Sequence, residues 1–114
     1  MQYAIFGGHE AIRVLLESGA NATIQDDFGN TPLVMASWMG QVEVAHVFFD
    51  YGADAKVRDK AGRTPLHLVS LGGHVEFARA LFKHGADATA QDNYEWTPVH
   101  RASFMGRAEA VRIL

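Results

Sequence analysis

The chain has 114 residues, of which 48% are hydrophobic and 20% are charged, and this composition excludes an intrinsically disordered protein. Its net charge of −3 offers no excess of basic residues for a broad nucleic-acid or anionic-membrane surface, and no apolar run approaches the roughly 20 residues that span a bilayer. Because the chain lacks cysteine, disulfide frameworks, thiolate zinc sites and cysteine nucleophiles are excluded.

A period of 33 residues organises the sequence. Residues 31–63 and 64–96 align without a gap and are identical at 14 of 33 positions. An internal repeat of this length indicates an array of stacked structural units. All three prolines and most glycines lie on the same period: Pro32, Pro65 and Pro98; Gly7, Gly40, Gly73 and Gly106; Gly19, Gly52 and Gly85; Gly29 and Gly62.

Each unit predicts two short helices followed by a polar turn. A threonine precedes each proline, and this order is typical of a helix that starts with a threonine N-cap and a proline in its first position. The first helices are expected to end at about Met39, Gly72 and Met105, each just before a repeated glycine. The second helices are predicted at about Val42–Tyr51 and Val75–His84, with one apolar stripe on each. The chain is thus predicted to divide into a partial unit 1–28, full units 29–61 and 62–94, and a partial unit 95–114.

Three segments of one unit together resemble the ankyrin repeat: Thr64-Pro65-Leu66-His67, Gly73-His74-Val75-Glu76 and Gly85-Ala86-Asp87. The first segment recurs in the neighbouring units as Thr31-Pro32-Leu33 and Thr97-Pro98-Val99-His100. The resemblance covers the whole chain. It implies an all-α solenoid of stacked helix-turn-helix units with projecting β-hairpin loops. It also implies a non-catalytic protein-interaction module whose partner differs from one family member to the next, with no cofactor.

The titratable residues follow the repeat and predict no catalytic or metal site. The glutamates Glu10, Glu43, Glu76 and Glu109 recur at 33 residues, as do the aspartates Asp26, Asp59 and Asp92. A catalytic pair needs two acids in unlike environments, whereas a repeat provides like environments. The resemblance further implies that His67, His74 and His100 form hydrogen bonds between loops.

The positions that differ between units are the better guide to binding. In proteins of this appearance they lie at the hairpin tips and at the exposed ends of the first helices, which line a concave face. Aromatic and methionine side chains are typical anchors of protein interfaces. The predicted partner-binding residues are Phe28, Trp38, Met39, Lys60, Arg63, Leu71, Tyr94, Trp96, Phe104 and Met105. Trp38 and Trp96 have an alternative role in packing between neighbouring units.

Two departures from the repeat carry further expectations. Glu95 stands where the other loops have Gly29 and Gly62, so the third loop is predicted to adopt a different tip that moves Tyr94 and Trp96. Val34 stands where the other units have histidine, so the hydrogen bonding of that loop is expected to differ.

The chain opens partway through one unit and closes inside a second helix, which suggests a piece of a longer array. Neither end shows the polar outer face of a terminal unit, so end-to-end self-association is the alternative. A different functional class also stays open: the chain could be the targeting or regulatory region of a larger enzyme or channel whose activity lies elsewhere. We expect an intracellular protein, in the cytoplasm or the nucleus, with a protein partner and with neither nucleic acid nor membrane.

Overall fold

A computed structural model describes residues 29–114 continuously and, before them, only residues 13, 14, 16, 17, 19, 25 and 27. Residues 29–114 form six helices and no strand, and none of these helices is long and apolar enough to cross a membrane. The helices follow in pairs: α1 (Pro32–Met39), α2 (Val42–Asp50), α3 (Pro65–Gly72), α4 (Val75–Lys83), α5 (Pro98–Phe104) and α6 (Ala108–Ile113). The first, second and third units of the structure are the pairs α1–α2, α3–α4 and α5–α6, each with the loop that precedes it.

The first helix of each unit begins as the sequence predicts. Thr64 has extended backbone, and its hydroxyl accepts a hydrogen bond from the backbone N–H of His67, with Pro65 in the first helical position. This arrangement satisfies an N–H group that would otherwise have no partner at the start of the helix. Thr31 and Thr97 cap α1 and α5 in the same way.

Repeated glycines end the helices. Gly40 and Gly73 follow α1 and α3 in the left-handed conformation, with φ of 68° and 72°. Such a residue closes a helix at little cost only when it has no Cβ. The predicted helix ends agree with the observed ones to within one residue.

The core lies between stacked units, where the second helices present their predicted stripe. Phe48 of α2 and Phe77 and Leu81 of α4 are fully buried together with Leu33 and Leu66 of the first helices. The first helices α1, α3 and α5 stack in order, as do the second helices α2, α4 and α6. Because each unit covers the apolar side of its neighbour, this core runs along the whole described stack.

The projecting loop of the second unit is a tight hairpin-type turn built around Asp59. The backbone N–H of Asp59 donates to the carbonyl oxygen of Arg63 at 3.0 Å, and that of Gly62 donates to Asp59 at 2.9 Å. The Asp59 carboxylate oxygen Oδ1 accepts from the N–H groups of Ala61 and Arg63, both at 2.9 Å. This aspartate therefore holds the turn, which explains its recurrence in the repeat.

The prediction that the third loop has a different tip is wrong. The backbone N–H of Asp92 donates to the carbonyl oxygen of Trp96, and the backbone N–H of Glu95 donates to the carbonyl oxygen of Asp92, both at 2.9 Å, as in the second loop. Glu95 takes up the left-handed conformation with φ of 64°, close to the 75° of Gly62. The loop keeps its shape because the Asp92 carboxylate bonds the N–H groups of Tyr94 and Trp96. The left-handed residue is thus accommodated within a conserved turn geometry.

Candidate partner-binding surface

The predicted partner-binding residues lie at the ends of the first helices and in the loops between units. Residues 38, 71 and 104 are equivalent positions near the ends of α1, α3 and α5, followed by residues 39, 72 and 105. Lys60 and Tyr94 lie in the turns of the second and third loops, at adjacent rather than equivalent positions, and residues 63 and 96 lie just before the next helix cap. Phe28 lies outside the described residues. The other predicted residues therefore belong to two structural groups, the helix ends and the loops.

Most of these side chains reach the surface. Tyr94 and Phe104 are 74% and 75% exposed, and Trp38 is 44% exposed. Met39, Met105 and Lys60 are also exposed, whereas Arg63, Leu71 and Trp96 are partly buried. These exposed apolar side chains are the candidates for a contact surface.

Trp38 is held by the loop that follows its own unit. The guanidinium carbon of Arg63 lies 5.1 Å from the centre of the Trp38 ring, within the range of a cation–π contact. Nε of the same arginine donates to Oδ2 of Asp59 at 2.9 Å. Arg63 thus orients the indole and leaves much of the ring open to solvent.

Trp96 lies in an aromatic cluster of the third unit. Its ring centre is 5.6 Å from that of Phe104 and 6.1 Å from that of His100. The guanidinium carbon of Arg101 lies 4.6 Å from the centre of the indole. Trp96 therefore contributes to packing within its unit, while Phe104 at the edge of the cluster remains exposed.

The second and third units neutralise their buried loop aspartates with arginines from different positions. Asp59 is paired with Arg63 of its own loop, whereas Asp92 is paired with Arg101 of α5, whose Nε lies 3.0 Å from Oδ2. In the third unit Trp96 stands at the position of Arg63, and Arg101 stands at the position of the buried Leu68. Moving the cation to the helix allows an aromatic residue at the loop position without leaving Asp92 unpaired.

The environment of Asp92 favours its ionised form. Burial acts to raise the pKa of the carboxyl, but hydrogen bonds from Arg101 and from the backbone N–H groups of Trp96 and Tyr94 outweigh this effect, so the pKa lies below its ordinary value. Asp92 and Arg101 consequently form an ion pair that holds Arg101 against the Trp96 ring.

His67 connects the second unit to the third. It is fully buried, its Nδ1 lies 3.1 Å from the backbone N of Thr64, and its Nε2 lies 2.7 Å from the carbonyl oxygen of Trp96. Nδ1 accepts from the Thr64 N–H, so the neutral tautomer with the proton on Nε2 satisfies both contacts. Burial is the largest influence on the pKa of His67 and lowers it, against the raising effect of the Trp96 carbonyl. The predicted structural role of this histidine between loops is confirmed by these contacts.

The other two histidines of the motif behave differently. His100 forms the same capping box with Thr97 but is exposed, and its ring contacts Trp96. The ring of His74 lies so close to Gly40 and Gly72 that a Cβ at either glycine would collide with it. At the first cap Val34 offers only its backbone N–H to Thr31, so α1 lacks the reciprocal bond of a capping box, as expected.

Three residues that hold the loops were not predicted from the sequence. Asn93 donates from its backbone N to Ala61 at 2.9 Å and from Nδ2 to the carbonyl oxygen of Lys60 at 2.8 Å. Arg58 donates to the carbonyl oxygens of Gly62 and Gln91, the latter in the next unit. Of the three, only Arg101 could have been noticed in the sequence, because it is a charged residue at the position where the earlier units have the apolar Met35 and Leu68.

Within the part of the chain that the structure describes, no group of three His, Asp or Glu side chains is arranged to hold a metal ion. A family model described as ankyrin repeats in three copies matches residues 46–114, and a second, described as ankyrin repeats in many copies, matches residues 1–49. No curated protein matches the chain.

Proposed function

Because the chain belongs to the ankyrin-repeat family, whose repeats mediate protein–protein interactions, we propose that it is a non-catalytic module that binds a protein partner inside the cell. The contact surface of this proposal consists of Trp38, Met39, Tyr94, Phe104 and Met105, which we call the aromatic surface. Lys60, Arg63, Leu71 and Trp96 surround or support it.

The observation that carries this proposal is the exposure of large apolar side chains on ordered elements. Tyr94 and Phe104 are three-quarters exposed, although removing an aromatic ring from water lowers the free energy. Arg63 orients the Trp38 ring, so little rotamer freedom remains to be lost when a partner covers it. Aromatic anchors of this kind contribute most of the binding free energy in many interfaces.

The test is a selection of displayed random 12-residue peptides on the immobilised chain, followed by affinity measurements with the selected peptides. The variants Trp38→Ala and Phe104→Ala should each weaken binding about tenfold or more, the loss typical of an interface anchor. Tyr51→Ala is the matched control, because Tyr51 is an exposed aromatic residue that caps α2, outside the aromatic surface.

The melting temperature of each variant separates loss of contact from loss of folding. Weaker binding with an unchanged melting temperature supports the proposal. Selected peptides that bind the Trp38 and Phe104 variants as tightly as the unchanged chain would place binding elsewhere. Weaker binding by the Trp38 and Phe104 variants is also expected if the module targets or regulates a larger enzyme or channel, since that role also requires a partner-binding surface.

A further inference from the structure

The loop of the third unit, residues 92–97, contains a residue with an unfavourable backbone conformation, Glu95. Glu95 is the only non-glycine residue with positive φ in the described part of the chain, whereas Gly29 and Gly62 occupy the equivalent positions of the other loops. A Cβ is unfavourable in this conformation, so glycine would suit the turn better. Strained residues of this kind cluster at binding sites, where the side chain has a task beyond folding.

The Glu95 carboxylate has no ion-pair partner in the part of the chain that the structure describes. Among the described residues, Glu95 forms its hydrogen bonds through the backbone: its N–H donates to the carbonyl oxygen of Asp92, and its carbonyl oxygen accepts from Nε2 of Gln91. The buried carboxylate of Asp92 is neutralised by Arg101. Glu95 is therefore an uncompensated negative charge at the tip of this loop.

Aromatic rings flank this charge. Tyr94, the preceding residue, is 74% exposed, and the half-buried Trp96, the following residue, lies 5.6 Å from the exposed ring of Phe104. Aromatic faces attract cations, and a carboxylate forms charge-assisted hydrogen bonds with them. The stem of a lysine or arginine is itself apolar and packs well on such rings.

We propose that the third loop recognises a lysine or arginine side chain of the protein partner. The cationic group pairs with the Glu95 carboxylate, and the aliphatic stem lies on Tyr94 and Phe104. This inference rests on the proposed function, because it names the chemistry that one end of the aromatic surface accepts. Lys60, at the tip of the second loop, has the opposite charge, so the preference for a basic residue is confined to the third loop.

The experiment repeats the peptide selection on three forms of the chain: unchanged, Glu95→Gln and Glu95→Gly. Glutamine keeps the length and the backbone strain of Glu95 but removes its charge, whereas glycine removes the charge and relieves the strain. Peptides selected on the unchanged chain should be enriched in Lys or Arg. A selected basic peptide should bind both variants about three- to tenfold more weakly, with a smaller difference at high salt.

The outcomes separate this inference from the proposed function. Enrichment of basic residues on the unchanged chain and its loss on both variants supports the inference. Peptides that depend on Trp38 and Phe104 but carry no basic preference, or bind Glu95→Gln equally well, would overturn the inference alone. A selection that yields no binding peptide, or only peptides indifferent to Trp38 and Phe104, would overturn the proposed function and this inference with it.

Discussion

The imidazole of His67 donates a hydrogen bond of 2.7 Å from Nε2 to the backbone carbonyl oxygen of Trp96, 29 residues further along the chain. A buried residue of one unit thereby positions the loop that carries the aromatic cluster of the next. The opposite nitrogen, Nδ1, accepts from the N-cap residue Thr64. One side chain thus links a helix start to the placement of a candidate binding loop.

We expect His67→Ala to destabilise the protein by about 2–4 kcal/mol, because it leaves a cavity and removes the partners of Thr64 and Trp96. The measurement is the free energy of unfolding in urea. His100→Ala is the matched control, since His100 caps Thr97 in the same way but is exposed. Its loss should be about 1 kcal/mol or less. Equal losses at the two positions would contradict the bridging role of His67.

The stability of the protein should fall as the pH decreases below about 6.5, the ordinary pKa of histidine. The pKa of His67 is lowered in the folded protein, chiefly by burial, so below that pH the unfolded chain binds a proton that the folded chain does not. The contribution of His67 to the free energy of unfolding is therefore present at neutral pH and is lost towards its lower folded pKa.

Urea denaturation of the unchanged chain and of His67→Asn, at a series of pH values from 8 to 5, measures this contribution. The variant should show the smaller slope with pH, because asparagine does not titrate. In the unchanged chain, the NMR signals of the His67 ring should titrate below pH 6.5. A ring that titrates above that value would refute the sign of the effect.

Removal of Arg101 should be costly because it strips the cation from a buried carboxylate. Arg101→Leu places in α5 the residue that α3 has at the equivalent position, Leu68. We expect a loss of about 2–4 kcal/mol in the free energy of unfolding, since Asp92 keeps only its backbone hydrogen bonds. Acid unfolding of this variant should also begin at a higher pH, because the Asp92 carboxylate ionises less readily without Arg101.

The double variant Trp96→Arg/Arg101→Leu tests whether the cation can be supplied from the loop instead. It recreates around Asp92 the arrangement that Arg63 and Leu68 provide around Asp59. The double variant should be more stable than the sum of the two single losses predicts, which a double-mutant cycle measures. If the two losses of unfolding free energy simply add, an arginine at position 96 does not replace Arg101 as the partner of Asp92, and the account is contradicted.

Glu95→Gly should stabilise the protein by about 0.5–1 kcal/mol, the relief of left-handed strain less the greater chain entropy of glycine. Gly62→Ala is the opposite control. Gly62 has a φ of 75°, and a Cβ added there would lie 2.9 Å from the backbone nitrogen of Asn93. That variant should lose stability. A lower melting temperature for Glu95→Gly would show that the Glu95 side chain serves the fold.

The repeat allowed the helices and their caps to be predicted from sequence, whereas the role of Asp59 and Asp92 in holding the loop turns became clear only in the structure. Thr-Pro and glycine act within one or two turns of the chain, so position in the sequence suffices to read them. The shape of the third loop was predicted wrongly because the local preference of Glu95 was weighed without the hydrogen bonds that Asp92 supplies. Hydrogen bonding within the whole turn prevailed over the preference of one residue.

The different environments of the two tryptophans depend on side chains that belong to other structural elements. Trp38 contacts Arg63, 25 positions later, and stays exposed, whereas Trp96 lies among Arg101, His100 and Phe104. The pattern of aromatic residues predicted where these rings would lie in the repeat, but not how far each would be covered. Ring exposure is set by the side chains of adjacent elements, which only the packed structure defines.

Chemical-shift mapping of the ¹⁵N-labelled chain with a selected peptide tests the central claim, that the aromatic surface binds the partner, most directly. The indole N–H signals of Trp38 and Trp96 provide two side-chain reporters, and the backbone amides report on every unit. We predict the largest shifts at the Trp38 indole and at the amides of Tyr94, Phe104 and Met105. Shifts concentrated on the second helices α2 and α4, with the Trp38 indole unchanged, would contradict the account.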